Sequence, residues 1–144
     1  MELKHLIWKA LIGFLVLFAI VLSACVGPQM RVAPEDSISL VQGGPQTGSW
    51  ESYDVLLNYQ YVYQPRTLKL NFGGGAKRGY DQLAIWISFF DAQGKFLQTE
   101  TVYNSGFREK FLPRRDSHEK IFEIPMESTQ FAFHSMLKKR TSRR

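Results

Sequence analysis

From Val55 to Tyr63 every second residue is apolar or aromatic: Val55, Leu57, Tyr59, Tyr61 and Tyr63 share one phase, with Asn58 and Gln60 in the other. A period of two lines one face of a β-strand, whereas a helix needs apolar residues three and four positions apart. The pattern predicts a strand over Trp50–Gln64, stopped by Pro65. Arg66–Phe72 repeats it, with Leu68, Leu70 and Phe72 against Lys69 and Asn71, so the two runs are expected to pair as a hairpin. Gly73-Gly74-Gly75 is expected to break the second run and to act, with the residues up to Gly79, as a flexible loop.

Leu83–Phe90 differs, because Leu83, Ile85, Ile87 and Phe89 fill one phase while Trp86 and Phe90 occupy the other. A strand apolar in both phases belongs in the middle of its sheet. Asp91-Ala92-Gln93-Gly94 supplies a turn in which Gly94 can take a positive φ. Lys95–Tyr103 follows as a further strand, Asn104–His118 reads as a polar loop, and Ile121–Ile124 and Gln130–Leu137 read as closing strands, the last with Phe131 and Phe133 inward. Ser37–Gln42, with Ile38 and Leu40, is a short opening strand ended by Gly43-Gly44-Pro45. Short strands between turns, without an amphipathic helix, predict an all-β protein, specifically an immunoglobulin-like β-sandwich of about seven strands over residues 37–137. The run Ile87 to Phe96, followed by Leu112-Pro113 and Phe122, resembles the Asp-x-x-Gly hairpin of the FxLYD-type sandwich domains of exported bacterial proteins. That likeness implies the same two-sheet architecture and carries no information about a binding site.

The N-terminal residues carry a different message. Lys4, His5 and Lys9 form a basic opening, and Ala10–Leu22 follows without a charge. As a helix this run spans roughly 20 Å, against about 30 Å for a bilayer's hydrocarbon core, which suits a cleavable signal helix better than a membrane span. Its end, Leu22-Ser23-Ala24-Cys25, resembles the lipobox of bacterial lipoproteins. The resemblance implies a signal peptide over 1–24, cleavage between Ala24 and Cys25, a diacylglycerol on the Cys25 sulfur, and an acyl chain such as palmitate on the new amino group. It also implies the outer membrane if the source is Gram-negative, since Val26 is not the Asp that marks retention at the inner membrane. Cys25 is the chain's one cysteine, so no disulfide within the chain competes for its thiol. Residues 25–36, with two prolines and no periodicity, read as a lipidated tether with a reach of roughly 35 Å from the membrane.

The net charge of +5 is local. Lys138, Lys139, Arg140, Arg143 and Arg144 form a basic tail over 138–144, and without them the domain is about neutral. A nucleic-acid-binding domain would spread its positive charge over a face, so no nucleic-acid partner is expected. Chemistry-bearing patterns are sparse. His118 and His134 stand at no metal-ligand spacing, Gly73–Gly79 lacks the Gly-Lys-Ser/Thr arrangement of a phosphate loop, and the carboxylates Asp54, Asp81, Asp91 and Glu100 are scattered. No metal, cofactor or catalytic residue is expected, and a hydrolase is the least favoured reading. The expectation is a membrane-anchored envelope protein that works by binding another envelope protein. The alternative is an envelope glycan-binding module using Trp50 and Tyr80 as stacking surfaces, with Lys77 and Arg78 as cations.

Overall fold

The structure is a computed structural model that describes residues 33–105 and 117–139. The signal helix, Cys25, the first part of the tether, Leu112-Pro113 and most of the basic tail lie outside the described residues. Eight strands run in order: β1 (Ile38–Ser39), β2 (Gln46–Glu51), β3 (Val55–Gln64), β4 (Thr67–Ala76), β5 (Tyr80–Phe90), β6 (Phe96–Asn104), β7 (His118–Glu123) and β8 (Gln130–Lys139). They form two antiparallel four-stranded sheets, β1-β8-β5-β6 and β2-β3-β4-β7. No helix occurs among the described residues.

The all-β, two-sheet class read from alternation is the one observed. β3 and β4 pair from Val55↔Ala76 to Gln64↔Thr67 around a two-residue turn, Pro65-Arg66. Arg66 takes φ +66°, a conformation that a non-glycine residue adopts at a cost of order 1 kcal/mol. β5 is central in its sheet, flanked by β6 and β8, and its two apolar phases account for that place.

The sheets face each other across one apolar core. Val55, Leu57, Tyr61, Leu68, Leu70 and Phe72 of one sheet meet Leu83, Ile85, Ile87, Phe89, Phe131 and Phe133 of the other. Aromatic rings carry much of the contact: Tyr59 lies 5.1 Å from Phe133, and Tyr61 stands edge-on to Phe131 at 5.3 Å. Edge-to-face contacts of this kind contribute about 0.5–1.5 kcal/mol each beyond the area they bury.

Three expectations are corrected. Trp50–Gln64 is not one strand. Trp50 ends β2, and Ser52-Tyr53-Asp54 turns the chain into β3, with Ser52 N–H donating to the Val55 carbonyl and Val55 N–H to Ser52 Oγ. This hidden hairpin is the eighth strand. Gly73-Gly74-Gly75 is not a loop either, since it completes β4 and pairs with Leu56, Leu57 and Asn58. Gly74 holds φ +155°, and a β-carbon there would run into the Leu56 carbonyl, so glycine is what lets the two backbones approach. His118 opens β7 rather than closing a loop, and its ring tilts against Phe72 at 5.6 Å.

The two long sides of this arrangement differ. On one, the chain itself crosses between sheets: Ile38 and Ser39 pair with β8, and Gln42 then bridges Tyr63 of β3. The Tyr61 hydroxyl fastens that crossing, donating to Ser39 O at 2.9 Å and accepting from Val41 N–H at 3.4 Å. On the other side the edge strands β6 and β7 face each other, bridged among the described residues by the Gln98 and Lys120 side chains.

Candidate functional site

The inward phase of β6 turns polar towards its start. Glu100 pairs with Ile87 and Gln98 with Phe89, both core residues, so the two polar side chains belong to the inward face of an edge strand. Charged or polar groups in that position keep an edge from pairing with further strands. Here Gln98 also ties the two sheets together. Gln98 Nε2 donates to Glu100 Oε1 at 2.6 Å and to the Glu123 carbonyl at 3.1 Å, while Lys120 of β7 donates to the Thr101 carbonyl. Beside the Gln98 bridge, towards the turn that leads into β8, the seam opens as a groove of about 720 Å³.

The groove is lined by apolar and acidic residues together. Phe122, Ile124 and Met126 contribute apolar surface, and Glu100, Glu123 and Glu127 contribute carboxylates, against one guanidinium from Arg66. Phe122 and Ile124 are buried, but Met126 is 63 % exposed. The wall is tied down by main-chain bonds, Ile124 N–H to Arg66 O at 3.0 Å and Thr129 N–H to Phe90 O at 2.9 Å. A site built this way can seat an extended segment or a flat group, with preference for positive charge. Among the described residues no cluster of His, Cys, Asp and Glu is arranged to hold a metal ion.

The four residues singled out for ligand contact lie elsewhere. Trp50 is half-buried against the core, 5.9 Å from Phe133, and Tyr80 also packs on the core with its hydroxyl oxygen buried. Both are partly buried, with rings packed against the core. Lys77 is paired with Glu51 and donates to Ser52 O at 3.1 Å. Arg78 Nε lies 3.6 Å from Asp54 Oδ1, near enough for an ion pair though too long for a hydrogen bond, and its guanidinium carbon sits 4.3 Å above the Tyr53 ring. Both cations are therefore balanced by carboxylates. The aromatic displayed at this corner is Tyr53, 73 % exposed.

Sequence reasoning had reached Glu100 as one of several scattered carboxylates and missed the rest of the groove. The available signal was phase: Gln98 and Glu100 stand where a buried face calls for apolar residues. Comparison with known proteins finds no family model that matches the chain, no matching curated protein and no matching solved structure.

Proposed function

We propose that this is a lipid-anchored cell-envelope protein whose small domain, an immunoglobulin-like variant of the two-sheet fold, acts by binding another envelope protein rather than by catalysis. Leu22-Ser23-Ala24-Cys25 carries this reading. A thiol is the nucleophile that thioether formation needs, and small residues before it suit a protease groove. Two or three acyl chains, at about 0.8 kcal/mol per buried methylene, would hold the protein on a membrane where a single chain gives only reversible binding. The open side of the domain supports the binding half of the reading, because it offers a partner apolar and charged residues together. Residues 1–24 act as the signal peptide, and the outer membrane is the destination in a Gram-negative cell.

The test is Cys25→Ser in cells fed labelled palmitate. The parent protein should take up label, shorten and sediment with membranes, and the variant should do none of these. Processing and localisation of the variant like the parent would overturn the anchor. A second reading, glycan binding, is favoured by one observation, the exposed Tyr53 ring beneath Arg78. It requires Tyr53→Ala to release the protein from an isolated cell-wall fraction; unchanged retention removes it.

A further inference from the structure

We infer that the groove between β6 and β7 seats an extended, basic segment of a partner protein, an inference that rests on the protein-binding reading above. The first ground is charge. The domain is about neutral without its basic tail, yet the groove carries Glu100, Glu123 and Glu127 against Arg66 alone. The groove is locally negative, so a basic segment is the matching occupant.

The second ground is shape. An extended chain presents side chains alternately to two sides. The groove lining combines apolar residues, of which Met126 is exposed, with the glutamates. A segment with alternating apolar and basic residues satisfies both at once. Among the described residues Glu123 and Glu127 form no ion pair and Glu100 accepts only from Gln98, so none of the three is neutralised by a described cation. The third ground is that, among the described residues, the β6–β7 seam is bridged by the Gln98 and Lys120 side chains, which can rotate. A ligand can displace Gln98 from Glu123 at the cost of one hydrogen bond, worth about 1 kcal/mol net.

The experiment uses the full chain in neutral detergent micelles and an eight-residue fluorescent peptide of alternating lysine and valine. Empty micelles serve as the blank and a glutamate-valine peptide as the control. Saturable binding of the lysine peptide, weakened about tenfold by Glu100→Gln with Glu127→Gln and weakened again by salt, is expected. Thr47→Ala, at an exposed position of β2 and outside the groove lining, should bind like the parent. Equal binding by the parent and the double variant, or no saturable binding up to about 1 mM, overturns the inference. Either failure leaves the Cys25→Ser result untouched, whereas a protein that is never lipidated fails the functional reading whatever the groove binds.

Discussion

At the scale of single residues, two positions show how local chemistry sets stability. Gly74 lies where φ is +155° and where a β-carbon meets the Leu56 carbonyl, so neither the backbone conformation nor the space admits a side chain. Gly74→Ala should cost about 2–4 kcal/mol, read as a lower denaturant midpoint with unchanged slope. His134 is the second. Its ring stacks on Trp86 at 5.2 Å, its Nδ1 is buried without a hydrogen-bond partner, and burial lowers its pKa below the ordinary value of 6.5. The folded protein therefore holds His134 neutral while the unfolded chain binds a proton there more readily. Above the unfolded pKa both states are neutral and nothing is lost; as the pH falls below about 6.5 the unfolded state gains protons and stability declines. Urea midpoints at pH 7.5 and 5.5 should differ in that direction, and His134→Gln should shrink the difference. A midpoint that rises on acidification would contradict the assignment.

At the scale of elements, the lacing of β1 to β3 depends on one hydroxyl. Tyr61→Phe keeps the ring against Phe131 and removes the bonds to Ser39 O and Val41 N–H. A loss of about 1 kcal/mol is expected, with faster amide exchange confined to residues 38–42. The same scale shows what alternation reveals and what it hides. Faces of β3, β4 and β5 were legible because Val55–Tyr63, Leu68–Phe72 and Leu83–Phe89 hold one phase throughout. The β2–β3 turn was not, because Ser52-Tyr53-Asp54 carries no glycine or proline and closes through the Ser52 hydroxyl instead. The triple glycine misled for a related reason: its freedom serves a close backbone approach inside a strand. The groove was hidden more deeply, since its walls come from β6 and from residues 122–127, which only the fold brings together.

At the scale of the molecule, the two ends of the domain have different neighbours. Ala33, where the described tether begins, donates its N–H to Gly94 O at 2.9 Å, and Ser37 Oγ donates to Gln130 Oε1 at 2.7 Å, so the chain enters beside the β5–β6 turn. The groove opens at that same end, next to the start of β6 and the approach to β8. The basic stretch begins at the other end, where Lys139 pairs with Tyr80. With Cys25 anchored, the tether would keep the groove end of the domain within roughly 35 Å of the membrane surface. A partner for the groove is thus expected near the membrane.

Site-specific photo-cross-linking in intact cells tests this account most directly, with the reactive group placed at Met126 in the groove or at Thr47 on the outer face of β2. The account predicts one discrete protein adduct from position 126, none from 47, and loss of the adduct when Cys25→Ser is added. Adducts of equal yield from both positions, or an adduct at 126 that survives Cys25→Ser unchanged, would contradict it.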